Sequence, residues 1–459
     1  MSGPVRRRTV AITGGVAAAL LLAACGSSSG DSSSPSPTDP ACQPYITTYG
    51  WHPGTKVSVF TTIKPPEQNA YEKSWVEFSK CTGIKINYEA SDQMEALLPT
   101  RVKGGTAPNI AFIPQPGLLK KLASDPSLAP KPAPAAVTAN VDKYWAPAYK
   151  AYGTVGGTFY AAPLSSNMKS LVWYSPQTFK TKGYQIPKTW DELFALSDKM
   201  VADGIKPWCG GIESGKATGW LATDWLEQTV LRQSGPDVYD KWVTHDIKFN
   251  SPEITKAMDT ISGWMKNPKY VNAGIGDVKT IATTKFQDGG KPILVSQGAK
   301  CGMYQQASFY AGQWATFQKD AKIAEDGDAY AFFLPSMPTS PTLPVVGGGE
   351  FVAAYSDAPE VVAFQTYLSS AEWATDKVKL GGWVSANNGV PQDAYQDTIS
   401  ALSAKILADK TATFRFDASD IMPAAVGAGE EWKQMTAWFA EDKPTADVLS
   451  AIDAAWPTS

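Results

Sequence analysis

Trp220 and Asp224 stand four residues apart at the head of an apolar stretch, so on a helix an indole and a carboxylate would share one face. Glu350 follows Gly347, Gly348 and Gly349, which let backbone approach a bound molecule closely. Lys64, Glu67 and Gln115 each come just after a stretch that reads as a β-strand. Rings that lie against C–H faces, interleaved with carboxylate, amide and ammonium groups that pair with hydroxyls, are what holding a polyhydroxylated ligand requires. Trp383, Asp420 and Tyr304 carry side chains of the same kinds, and Tyr304 suits a core equally well. Abundance decides nothing here, because most of the 16 Trp and 18 Tyr must serve packing. Trp75, on the apolar face of a helix, belongs to the core on this reading.

Bond-breaking chemistry has less to work with. The chain has no G-x-S-x-G, H-E-x-x-H or P-loop, and its two histidines, His52 and His245, are far apart in sequence. A glycoside hydrolase needs only two carboxylates flanking a glycosidic bond, and the sequence leaves such a pair open. No C-x-x-C pair is present, which argues against zinc or redox chemistry, and no metal or cofactor is implied.

The elements that must position these residues follow from periodicity. Lys56 to Thr61 reads as a strand; Pro66 then opens a helix with Tyr71, Trp75 and Phe78 on one face, closed by Cys81-Thr82-Gly83. Ile84, Ile86 and Tyr88 alternate as a strand, Asp92 to Lys103 reads as a helix and Asn109 to Ile113 as a third strand. That order predicts a parallel α/β sheet, whose ligands gather at the carboxyl ends of the strands: Thr62 to Glu67, Ser91 to Gln93 and Gln115-Pro116. Tyr160 to Tyr174 reads as extended around Pro163, and Thr189 and Glu192 form a capping box for a helix with Leu193, Leu196 and Met200. Helices are predicted through Leu231, over Pro252 to Met265 and over Val278 to Gln287. Strands are predicted at Pro292 to Val295, Ala329 to Leu334 and Phe351 to Tyr355, with mostly helix thereafter and a break at Gly381-Gly382-Trp383.

The N-terminus has its own plan. Arg6, Arg7 and Arg8 precede the apolar run Val10 to Ala24, and Leu22-Ala23-Ala24-Cys25 resembles a bacterial lipobox. Residues 1–24 thus read as a signal peptide, Cys25 as a lipidated first residue, and 25–42 as a Ser/Pro-rich tether. Loss of the signal removes three arginines and no acid, taking the formal charge from −3 to −6, so nucleic acid is not an expected partner. No later segment has the apolar length of a membrane span, which leaves the lipid as the expected attachment to the outer face of the membrane. Besides Cys25 there are Cys42, Cys81, Cys209 and Cys301; an exported location favours disulfides, and four thiols allow three connectivities.

Phe78 through Thr82-Gly83-Ile84, Gly104-Gly-Thr-Ala-Pro-Asn109, Tyr160-Ala-Ala-Pro163, Val172-Trp-Tyr174, Pro187-Lys-Thr-Trp-Asp-Glu192 and Gly347-Gly-Gly occur in an order that resembles the extracellular solute-binding proteins of bacterial ABC importers, in the maltose-binding-like branch. Cys209, the block Thr218 to Trp225 and Asp420 to Gly427 further resemble its α-glucoside-binding members. Pro108-Asn109 departs from the commoner Pro-Asp of that family. Thr61-Thr62-Ile63-Lys64 replaces an aromatic or Glu often met after the first strand, which bears on the sugar bound. The resemblance implies an α/β fold of two lobes joined by a hinge, with mixed sheets flanked by helices. Lobe one would hold 43–162 plus 345–385, and lobe two 163–344 plus 386–459. It also implies a sugar ligand, an ABC permease as partner, a monomer and no catalysis. The lobe assignment favours Cys42 with Cys81 and Cys209 with Cys301. It supports Lys64, Glu67 and Gln115 at strand ends and adds Asn167, beyond the hinge. A solute other than sugar would keep the fold, although peptide or polyamine ligands call for a more strongly charged cleft.

Overall fold

The computed structural model describes residues 38–271 and 276–457; Cys25 and the signal and tether before residue 38 lie outside them. The chain builds its first sheet as expected from the opening periodicity. Lys56–Thr61 pairs in parallel with Lys85–Ala90 on one side and with Ile110–Ile113 on the other. Phe351–Ala354 returns late in the chain to pair antiparallel with Ile110–Ile113 and with Ala161–Pro163, so the sheet is mixed. The second sheet runs Tyr330–Phe333, Leu171–Tyr174, Cys301–Gln305, Lys206–Trp208. A third, smaller sheet joins Thr413–Phe416, Pro344–Gly348 and Asn167–Met168.

Each large sheet carries its own core. One apolar cluster gathers Tyr49, Tyr71, Phe78, Val352, Phe364 and Trp373 around the first sheet, and another gathers Trp173, Trp208, Trp225, Ile261, Tyr304 and Trp438 around the second. Segments cross between them at Pro163–Leu171, at Gly348–Phe351 and in the stretch between residues 385 and 413. Val390, Ala394 and Tyr395 still pack into the first cluster, ten residues beyond where the sequence reading ends lobe one.

Local chemistry explains most boundaries. Thr189 Oγ1 accepts from the Glu192 amide at 3.2 Å at the head of the Trp190–Ala202 helix. The returning bond is shifted by one residue, since Glu192 Oε2 accepts from the Lys188 amide at 2.6 Å rather than from Thr189. The helix expected from Pro66 to Cys81 is two helices, Glu67–Ser74 and Val76–Thr82, with Trp75 at φ −119° between them. The bend lets Phe78 stack on Tyr367 at 4.5 Å while Tyr71 faces Trp373 at 6.3 Å. Pro292 to Val295 is not a strand: Lys291–Ile293 and Val295–Gln297 are 3₁₀ turns, and Cys301–Gln305 takes the place in the sheet. Val278 to Gln287 is likewise a 3₁₀ turn followed by a short helix, Phe286–Gly289. Cys42 is bonded to Cys81 and Cys209 to Cys301, the pairing expected from the lobes. Among the described residues no helix is long and apolar enough to cross a membrane.

Candidate functional site

The three parallel strands end side by side, and the loops after them form one wall of a cavity of about 1000 Å³. Lys64 and Glu67 come from the first loop, Asp92 and Glu95 follow the second strand, and Gln115 follows the third. The loops are tied to one another. Lys64 Nζ donates to Asp92 Oδ2 at 3.0 Å, and Gln115 Nε2 reaches Glu95 Oε1 at 3.4 Å. The rest of the lining comes from segments around the second core and carries the rings of Trp220, Phe286, Phe309 and Trp432 together with Glu213, Lys285, Gln287 and Asp288. Asn167, Lys169 and Glu350 reach the cavity from the crossing segments, and Asp420 from the short helix Ala418–Ile421 that follows the Thr413–Phe416 strand.

A glycine sets Trp220 in place. Gly219 caps the Trp220–Val243 helix at φ 113°, a left-handed conformation that side chains resist, and a Cβ there would stand 2.2 Å from the carbonyl oxygen of Trp432. The helix start therefore presses against Trp432. The half-buried indole of Trp220 meets Phe286 edge-on at 5.2 Å and Phe309 at 6.2 Å.

Trp220 and Asp224 do share a face of that helix, and what joins them is Lys169. Its Nζ lies 5.1 Å from the Trp220 ring centroid, donates to Asp224 Oδ1 at 2.8 Å and is also bonded to Asp417. Glu227 stands behind, accepting from the Ser419 amide at 3.1 Å. Burial by itself would push the Lys169 pKa down, but Asp224, Asp417, Asp420 and Glu227 together hold it well above the usual lysine range. One ammonium does not neutralise so many acids. Burial, followed by mutual repulsion, drives Asp224, Glu227 and Asp420 well above ordinary carboxyl values. Glu431 is driven up in the same way, and its two oxygens have no hydrogen-bond partner among the described residues. Asp417 is the exception; burial would raise it, but Lys169 and hydrogen bonds from its neighbours hold it low.

A second charged group occupies the other end. Glu350 is buried, accepts a hydrogen bond from the Ser165 hydroxyl, and has its pKa raised by burial. Burial and the nearby Glu350 push Glu67 up to about 8, and burial pulls Lys377 down to about 8 against the attraction of both acids.

Of the residues singled out in the sequence, Lys64, Glu67, Gln115, Asn167, Trp220, Glu350 and Asp420 line this cavity. Three do not. Asp224 is fully buried on Lys169; Tyr304 is fully buried and its hydroxyl donates to the Phe286 carbonyl at 2.8 Å; Trp383 sits in the first core, with Nε1 donating to Tyr71 Oη at 2.9 Å. Tyr304 and Trp383 have spent their polar atoms on protein, and Asp224 has spent Oδ1 on Lys169 while its Oδ2 has no hydrogen-bond partner among the described residues. Lys169, Lys377, Glu95, Phe286, Phe309 and Trp432 line the cavity without having been singled out. Lys169 could have been suspected from its place just past Asn167 in a crossing segment. Lys377 reads as an ordinary helix-surface lysine, and only packing reveals otherwise.

A sequence profile described as bacterial extracellular solute-binding protein matches residues 64–375. The osmoprotective compounds-binding protein GgtB of Synechocystis sp. is 35% identical over 88% of this chain and 92% of its own. The alpha-glucosides-binding periplasmic protein AglE of Rhizobium meliloti is 33% identical over 88% of this chain and 87% of its own. Among solved structures, the bacterial solute receptor AcbH superposes with a TM-score of 0.72 at 20% identity, covering 87% of this chain and 98% of that one. Maltose-bound MalE3 of T. maritima does so with a TM-score of 0.64 at 17% identity, covering 87% and 98%. At those identities the structural matches speak to the two-lobed fold.

Proposed function

The chain belongs to the bacterial extracellular solute-binding protein family, and we propose on that premise that it captures a carbohydrate between its lobes and delivers it to the permease of an ABC importer. The ligand class is an α-glucoside or other oligosaccharide. One observation carries this reading: the rings of Trp220, Phe286 and Phe309 line one cavity together with carboxylate, amide and ammonium groups. Sugars present both an apolar C–H face and a rim of hydroxyls, so a cavity with groups for each suits them. AglE, which is named for alpha-glucosides, supports the class; GgtB is named for osmoprotective compounds.

Lobe one is taken as 43–162 plus 345–385 and lobe two as 163–344 plus 386–459, with 390–395 packing back onto the first core, and the two close about the crossing strands when sugar binds. The protein acts by binding and performs no hydrolysis. It is held outside the cell by a lipid on Cys25, a reading supported by the arginines, apolar run and spacer around Leu22-Ala23-Ala24-Cys25. The protein is taken to act as a monomer.

A thermal-shift screen against maltose, trehalose, sucrose and maltooligosaccharides tests the ligand class. A sugar at 100 times its Kd should stabilise the protein by about 2.7 kcal/mol. A screen in which no sugar moves the Tm would end the carbohydrate reading. Release of product from aryl glycosides or maltooligosaccharides would replace it with a hydrolase. For the anchor, Cys25→Ser should send the protein into the medium; persistence in salt-washed membranes would contradict the lipid.

A further inference from the structure

Lys377, in the last turn of the Ala371–Val378 helix, is fully buried and lines the cavity, yet among the described residues its Nζ has no hydrogen-bond partner. The nearest support is the ring faces of Tyr71, at 4.5 Å, and Trp383, at 5.1 Å. These rings stabilise positive charge but accept no conventional hydrogen bond. Glu67 and Glu350 line the same end and act on Lys377 through space, neither bonded to it. An ammonium with three donors is costly to bury without acceptors, and the groups around it are arranged to hold it beside the cavity.

The chemistry of that end selects among ligands. A carboxylate or phosphate would satisfy Lys377 but add a third acid beside Glu67 and Glu350, whose ionisation burial already resists and which would have to stay protonated next to it; an amine would confront Lys377. A hydroxyl both accepts and donates, so two neighbouring hydroxyls can take hydrogen bonds from the ammonium and give them to the carboxylates at no cost in charge. We propose that this end of the cavity is a subsite for the vicinal hydroxyls of a terminal, uncharged sugar ring, with Lys377 donating to them and Glu67 and Glu350 accepting. The proposal rests on the carbohydrate reading above and adds which residues read the ring's hydroxyls and that the ring is uncharged.

The test is a cycle between protein and ligand. Wild type and Lys377→Met are titrated by calorimetry with the tightest-binding disaccharide from the screen, with its monodeoxy analogues on the terminal ring, and with the corresponding uronic acid. Lys377→Met should weaken the parent sugar about 10- to 100-fold, the range for a charge-assisted hydrogen bond lost from a buried site. At least one deoxy analogue should bind wild type comparably weakly and lose nothing more in Lys377→Met, because hydroxyl and ammonium act as one pair. The ligand-free Tm of the variant is recorded alongside, so that lost affinity in a folded protein is told apart from unfolding. A merely structural lysine would not show coupling to one particular hydroxyl. Should the Met variant fail to fold, Glu67→Gln carries the same cycle, with coupling expected to a hydroxyl of the same ring. Unchanged affinity in Lys377→Met, equal losses for every deoxy analogue in both proteins, or tighter binding of the uronic acid would overturn the subsite while leaving sugar capture standing. A wild type that binds none of the sugars would overturn the carbohydrate reading itself.

Discussion

Single residues here are decided by what their polar atoms find. Asp224 and Trp220 sit on one helix face as their spacing requires, but the carboxylate found Lys169 and the indole found the cavity. Spacing fixes which face a residue occupies and leaves open how deep its partner lies, so Asp224, Tyr304 and Trp383 could not be told from cavity residues in the sequence alone. The same depth has a consequence for stability. In Asp224, Glu227, Asp420 and Glu431 the folded-state pKa lies well above the ordinary carboxyl value. These groups therefore bind more protons in the folded protein than in the unfolded chain from about pH 4 up to their folded values, and the stability they contribute is lost as pH rises through that window. Asp417, held low, works below that window, and Lys377, drawn down to about 8, favours the folded state only as pH rises beyond 8. The ligand-free Tm should drop steadily from pH 5 to pH 8 at fixed ionic strength, and Glu431→Gln should flatten the slope. A Tm that is level or climbs over that range would mean the acids are not protonated as described.

Elements carry residues to the site, and those built from strong periodicity were legible. Lys56–Thr61 is where the sequence places a strand, and Pro252–Met265 runs between the bounds expected for a helix there. Elements whose composition opposes their structure were not. Pro344–Gly348 contains two glycines and joins a sheet because Thr413–Phe416 and Asn167–Met168 flank it. The apolar run Pro292 to Val295 has the composition of a strand, but it turns back in two 3₁₀ segments before the Cys301–Gln305 strand begins. The Trp220–Val243 helix illustrates a dependence visible only in three dimensions, since its first residue is placed by the absence of a side chain at Gly219. Gly219→Ala should push the helix start off Trp432 and tilt Trp220. We expect a loss of stability of about 1 kcal/mol or more from the left-handed backbone alone and a loss of sugar affinity beyond it. Wild-type affinity in a well-folded Gly219→Ala protein would show that the helix start does not set the Trp220 ring.

At the scale of the whole molecule, the chain passes between two cores and leaves charged and aromatic groups lining one cavity. The parallel strands, the crossing at Pro163 and the glycine run before Glu350 announced that plan; the path of residues 385 to 413 did not, because helices there cover both cores. The central claim is that sugar is held in this cavity against Trp220, and titration calorimetry of wild type, Trp220→Ala and Trp75→Ala with an α-glucoside tests it most directly. Trp75, buried against Tyr88 and Phe364, serves as the control in the core. Trp75→Ala should lower the Tm through a cavity costing about 3 to 5 kcal/mol and leave the affinity of the folded protein unchanged. Trp220→Ala should keep the fold and weaken binding by about 1 to 3 kcal/mol, roughly 5- to 150-fold in Kd. Unchanged affinity in Trp220→Ala, with the wild type binding the same sugar, would contradict the placement of the ligand.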